Sequence, residues 1–385
     1  MALFQLRKPK KIEGVDNTLY LTLREERRIS KSNNRVIRKY EKEKNRKNVP
    51  EEEYLTQMRD PSNVVEFDDL HTYFFTDVGT VKSVNGVSFD IPQGKIVGVV
   101  GESGCGKSVT SLSLMQLVQA PQGQIVRGSI RYQDKDGKCY DITKMPKDKM
   151  LKVRGKEIAM IFQEPMSALN PVLTIGDQIG EAIRLHQDIK DRDVEERTID
   201  MLQLVGIPMP ERRLRDYPHH LSGGMQQRVL IAMALSCYPK LLFADEPSTA
   251  LDVTIQAQIL ELLKKLRTDF NTAIVLISHD LGVIAEMADR VIVMYAGKFV
   301  EEASVSDIFH KPLHPYTEGL LLSVPRLDRP RKRLQPIKGS VPDLLDLPGG
   351  CSFHPRCPYA LEICRQEAPQ LKSLGAGRRV SCWLR

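Results

Sequence analysis

The chain has 385 residues, of which 41% are apolar and 27% charged, with a formal net charge of +7. That length holds one large domain with attachments, or two domains, and the composition is that of a globular protein rather than a disordered or fibrous one. The first sixty residues hold 16 Lys and Arg against 10 Asp and Glu, so +6 of the charge lies there; the remaining body is close to neutral, and its charge indicates no broad nucleic-acid face.

No uncharged apolar run approaches the roughly 18 residues of a membrane span. The start, MALFQLRKPKKIEG, lacks an apolar core between a basic segment and a small-residue cleavage site, so a cytosolic setting is expected. Residues 1–62 form a basic extension in which charges of both signs alternate, as in LREERRISKSNN, and apolar residues are few. A solvated helix or a disordered arm is expected there, with a membrane-surface or partner-binding role as the alternative.

From Val64 the pattern changes. VVEFDDLHTYFF and VKSVNGVSFDI are rich in β-branched and aromatic residues and predict strands. KIVGVV is a short apolar run ending in a glycine loop, and SVTSLSLMQLV continues as a helix. A helical block follows, from about Ile175 to Tyr238. KLLFADE and TAIVLISHD predict further buried strands, each followed by a helical pattern. Strands alternating with helices point to an α/β protein with a parallel sheet. After Leu321 the chain becomes Pro-rich and basic (SVPRLDRPRKRLQPIKG), like a linker into a tail that holds four of the seven cysteines.

Gly101–Ser108, GESGCGKS, fits the P-loop pattern G-x-x-x-x-G-K-[ST] between a strand and a helix. Its glycines let backbone N–H groups face phosphates, and the helix N-terminus adds partial positive charge. Lys107 is placed to reach the β- and γ-phosphates and Ser108 to ligate Mg²⁺. Gly101, Ser103, Gly104, Cys105, Gly106 and Val109 complete the expected ATP-binding set, with Cys105 a small filler in the loop. LLFADE is an apolar strand ending in two carboxylates. Asp245 is expected to hold Mg²⁺, and Glu246 to polarise the attacking water. In LSGGMQQR, Ser222 can cap the following helix, and Gly223 and Gly224 leave its N-terminus bare for a second phosphate.

GESGCGKS, LSGGMQQR, FADEPSTALD and ISHD, in this order and spacing, resemble the ATP-binding cassette ATPases over about Val64 to Pro325. The resemblance implies an α/β P-loop ATPase core with an antiparallel β subdomain and a helical subdomain. It also implies a head-to-tail dimer with two ATPs between subunits. Ser222, Gly223, Gly224 and Gln226 then serve ATP held by a partner. Gln163, in IFQEPMSALNP, matches the loop that senses Mg²⁺ and water; His279 matches the switch histidine, and Asp252 the loop crossing the dimer interface. An aromatic in the first strands should stack on adenine, Phe75 being preferred over Tyr73 and Phe74. EPMSALNPVLTIGDQI, HPYTEGLLLSVPRLD and the final cysteine-bearing stretch extend the resemblance to the ATPase subunits of dipeptide, oligopeptide and nickel importers, over residues 64–385. The implied division is an extension at 1–62, a nucleotide-binding domain at 63–325 and a C-terminal domain at 326–385.

Cys351, Cys357, Cys364 and Cys382 follow a C-x5-C-x6-C-x17-C spacing, unlike the paired C-x2-C of zinc ribbons. Four thiolates suit a [4Fe–4S] cluster or Zn²⁺, and a reducing compartment disfavours disulfides. The family resemblance leans toward the cluster, and free thiols are the remaining alternative.

The expected function is an ATPase that powers peptide import. Its expected partners are a second, non-identical ATPase subunit, two transmembrane permease subunits and, indirectly, an extracytoplasmic binding protein. It would sit at the cytoplasmic face of the cell membrane. Nickel chelates or glutathione are alternative cargoes. A soluble cassette ATPase acting on nucleic acid or ribosomes is disfavoured, since such proteins usually carry two cassettes or a long coiled-coil insertion. A non-hydrolysing cassette is disfavoured by the intact Glu246 and His279.

Overall fold

The computed structural model describes residues 21–162, 168–247, 253–323 and 336–385. Two sheets organise it. The first is antiparallel, in the order β1 (Leu55–Thr56), β6 (Cys139–Asp141), β5 (Gly123–Gln133), β2 (Asn63–Phe75) and β3 (Thr80–Pro92). The second begins with five parallel strands, in the order β7 (Ile158–Ile161), β8 (Leu241–Asp245), β9 (Ala273–Ile277), β4 (Ile96–Val100) and β10 (Arg290–Tyr295). It continues antiparallel through β11 (Lys298–Ser304) to β13 (Arg379–Val380) and β12 (Lys372–Ser373).

β4, β8 and β9 are buried along their whole length. This is why they read as unbroken apolar runs rather than alternating ones. One core cluster joins the parallel sheet to the helical block, with Ile175, Ile179 and Ile183 of the helix Ile175–His186 meeting Val229, Ile231 and Leu235 of the helix Gly223–Leu235. A second cluster fills the space between the two sheets, with Phe67 and Phe89 stacked at 4.2 Å.

The extension is not only solvated. A helix, Leu23–Lys44, starts with a Thr22/Glu25 capping box and lies on β2 and β5. Asn33 is buried and donates to the carbonyls of Thr76 (2.7 Å) and Gly79 (3.1 Å), and Tyr40 donates to that of Val126. The short tail strand β13 pairs with β11, so the last residues extend the main sheet. Among the described residues no helix is long and apolar enough to cross a membrane.

Candidate functional site

β4 ends at Val100, and the loop 101–106 turns into the helix Lys107–Leu114. Gly106 takes φ 104°, and a Cβ there would overlap the Ser83 carbonyl, so the turn requires glycine. Lys107 is buried, and its ammonium donates to the carbonyls of Gly101 (2.8 Å) and Glu102 (3.1 Å). The loop is thus curled around its own lysine. Cys105 is 1% exposed, and burial pushes its thiol pKa up, as suits a filler. The loop opens on a cleft of about 590 Å³ lined by Gly101, Ser103, Gly104, Gly106, Lys107, Ser108 and Val109 from this segment, joined by Ser83, Asp245, Glu246 and His279.

The last three groups come from the ends of neighbouring strands. Asp245 ends β8 and is 5% exposed. Burial raises its pKa; a hydrogen bond from Ser108 acts the other way. The nearby Glu246 charge raises it further. A buried carboxylate beside a second acid and a hydroxyl is a donor set suited to a hard divalent cation, which would relieve the desolvation and repulsion together. Glu246 follows in the left-handed region, φ 49°, with its N–H donating to the Ile277 carbonyl at 2.9 Å. A non-glycine residue there costs on the order of 1–3 kcal/mol and persists only where the surroundings impose it. The strain aims the carboxylate at the His279 ring, whose Nδ1 lies 3.2 Å from Oε1.

Ser222 caps the helix Gly223–Leu235, its hydroxyl accepting from the Met225 N–H at 3.4 Å. A Cβ at Gly223 would meet nothing within 4 Å, so that helix end is open. Among the described residues, none from Ser222 to Arg228 lines the P-loop cleft. The open helix end at Ser222 and the P-loop cleft are therefore separate surfaces of the chain.

Three expectations change. Gln226 does not face outward: it is 7% exposed, and its amide donates to the carbonyls of Pro218 (2.8 Å) and Leu221 (3.3 Å), so it holds the approach to Ser222. Phe75 is covered, at 8% exposure, and offers no open face to a base. Tyr73 donates to Asn85, and the turn beyond β2 exposes Val78 instead of an aromatic. The tail cysteines do not form an ion-sized cage: among the described residues no group of three or more His, Cys, Asp or Glu is arranged to hold a metal ion. The four thiols are nevertheless neighbours. Burial first, then the other tail cysteines, raise the pKa values of Cys351, Cys357 and Cys382; Cys351 feels all three others. The Cys351 N–H donates to the Cys364 carbonyl at 2.8 Å. Gln163 and Asp252 lie outside the described residues.

Sequence reasoning missed Ser83 in the cleft wall. It also missed Gln227, 1% exposed, which donates to the Pro247 carbonyl at 2.6 Å and so ties the Ser222 helix to the segment after Glu246. Neither has a motif of its own; only the folded arrangement shows them.

Residues 84–249 match the family model "ABC transporter", and residues 300–364 match "Oligopeptide/dipeptide transporter, C-terminal region". The chain is similar to the oligopeptide transport ATP-binding protein AppD of Bacillus subtilis, 54% identical over 84% of this chain and 97% of that protein. It is 50% identical to the dipeptide transport ATP-binding protein DppD of the same organism, over 83% and 94%. Among solved structures it resembles the dimeric post-hydrolysis state of the ATP-binding cassette MJ0796 bound to ADP and Pi. That match has a TM-score of 0.55 at 25% identity and covers 63% of this chain and 98% of that one.

Proposed function

The chain belongs to the ABC transporter ATP-binding family, in its oligopeptide/dipeptide branch, and from that premise we propose how this ATPase does its work in powering peptide import. The observation that carries the reading is the single cleft in which Lys107, Ser108, Asp245, Glu246 and His279 meet. Loop N–H groups from Gly101 to Gly106 cradle the phosphates. Lys107 exchanges the carbonyls of Gly101 and Glu102 for phosphate oxygens. Ser108 and Asp245 would hold Mg²⁺, which supplies charge neutralisation at the phosphates. Glu246 takes a proton from the attacking water, and His279 orients that carboxylate and faces the γ-phosphate.

The open helix end at Ser222 and Gly223 would serve ATP held by a second cassette, and Asp252 and Gln163 would take the interface and Mg²⁺-sensing roles that the family resemblance implies. The separation of Ser222 from its own cleft supports this division of labour, as does the dimeric arrangement of MJ0796. The second cassette is a non-identical subunit. Two transmembrane permeases receive the motion at the cytoplasmic face of the membrane, and a binding protein outside delivers peptide. The working units are the extension 1–62, the nucleotide-binding domain 63–325 and the C-terminal domain 326–385.

Cys351, Cys357, Cys364 and Cys382 would hold a [4Fe–4S] cluster. The mutual electrostatic influence of the four thiols supports a shared four-thiolate group, with Zn²⁺ the alternative ligand for the same donors. Iron and sulfide analysis of anaerobically purified protein tests this: about four of each per chain is expected. Zinc alone, or no metal, overturns it.

The functional test is peptide uptake by a complex assembled with this subunit. Uptake should require ATP and vanish with Lys107→Ala. Uptake unaffected by Lys107→Ala would overturn the reading.

A further inference from the structure

The cysteine-bearing tail reaches the phosphate loop directly. Arg356 lies between Cys351 and Cys357, and its guanidinium forms a two-pronged ion pair with Glu102, Nη1 to Oε2 at 2.7 Å and Nη2 to Oε1 at 3.0 Å. The Arg356 side chain is only 5% exposed. Its Nε donates to the Lys338 carbonyl at 3.1 Å, and the guanidinium lies 5.8 Å from the centre of the Tyr295 ring. The hydrogen bond to Glu102 is the main cause of a raised Arg356 pKa.

Glu102 is the second residue of the phosphate loop, and its other polar groups are also engaged. Its N–H donates to the Tyr316 hydroxyl at 2.9 Å, and its carbonyl accepts from Lys107 at 3.1 Å. Phe353 packs against both Tyr295 and Tyr316, so one aromatic cluster backs the whole arrangement. The residues holding Glu102 from outside the loop therefore come from β10 and beyond.

Two physical effects follow. A planar, two-pronged arginine–carboxylate pair fixes orientation as well as charge, so Arg356 sets where the Glu102 backbone sits. Glu102 is flanked by Gly101 and Ser103, both in the cleft wall. Glu102 does not itself line the cleft, and its carboxylate is turned to Arg356 of the tail; without that cation its charge would oppose an incoming polyanion only across the loop, at longer range.

We propose that Arg356 is a positioning residue of the nucleotide site. Through Glu102 it holds the curl of the P-loop, and it cancels a carboxylate that would otherwise repel the triphosphate. The tail is thereby part of the ATP-binding apparatus as well as an appendage to it. This rests on the cleft being the MgATP site.

Calorimetric titration of the full-length chain with MgATP tests it. Wild type should bind and Lys107→Ala should not. Arg356→Ala should weaken binding about tenfold, and Arg356→Lys, which keeps the charge but loses the planar fork, about threefold. Adding Glu102→Gln to Arg356→Ala should recover most of the loss, a rescue that a mere fastening of the tail does not give. Wild-type affinity in both Arg356 variants, or a double variant no better than Arg356→Ala, overturns the inference. Should Arg356→Ala not fold, Arg356→Gln, which also removes the charge, with and without Glu102→Gln makes the same comparison. Absent MgATP binding in wild type would instead overturn the reading of the cleft.

Discussion

His279 Nδ1 lies 3.2 Å from Glu246 Oε1, although the two residues come from the ends of different strands. The histidine is 66% exposed and the carboxylate 14%. The exposed partner thus faces the open cleft while the base is largely covered. His279→Ala removes the group that orients the base, so ATP hydrolysis should fall by roughly 10²-fold, within the range of acid–base partners. Nucleotide affinity should change far less, because Lys107 and the loop amides remain. Steady-state ATPase rates beside an equilibrium binding curve check the split.

Gln227 links the Ser222 helix to Pro247, one residue beyond the base. Gln227→Met keeps the volume but leaves the Pro247 carbonyl without this donor. A loss of about 1–3 kcal/mol is expected for a buried acceptor left unpaired, offset in part because Gln227 Oε1 has no partner of its own. Urea unfolding measures the stability. An ATPase assay normalised to folded protein should show reduced turnover in Gln227→Met, because the segment after Glu246 loses its tie to the Ser222 helix; unchanged turnover would make the tie purely structural.

His314 gives the tail junction a pH dependence. Its Nδ1 accepts from the Tyr316 N–H at 3.0 Å, and burial pushes its pKa down to about 3. The folded pKa lies below the unfolded value of about 6.5, so its contribution is complete above that pH and is lost progressively toward pH 3. Apparent Tm should therefore decline between pH 7 and 4. His314→Asn, which can still cap the helix Pro315–Leu322, should show a shallower decline in the same buffers.

Much of this was legible in the sequence because it is local. β4, β8 and β9 are runs of β-branched and aliphatic residues, and the P-loop is declared by the spacing of Gly101, Gly106 and Lys107. Asp245 and Glu246 stand at the end of such a run. The unread parts are long-range. Arg356 and Glu102 are 254 positions apart, and β13 is two residues defined by pairing with β11 and β12. Phe75 and Gln226 entered through the family resemblance, and what the sequence could not show is their packing: Phe75 is 8% exposed, and the Gln226 amide is engaged by the Pro218 and Leu221 carbonyls. The extension misled through composition: its charge hid the single buried face on which Asn33 and Ile37 lie.

The central claim is that Glu246 is the base of an ATP-hydrolysing cleft, and Glu246→Gln tests it most directly. Shape is kept and the proton acceptor is lost. The account requires MgATP to bind with at least wild-type affinity while hydrolysis by the assembled transporter falls by roughly 10²–10⁴-fold. Turnover at the wild-type rate in Glu246→Gln would contradict it.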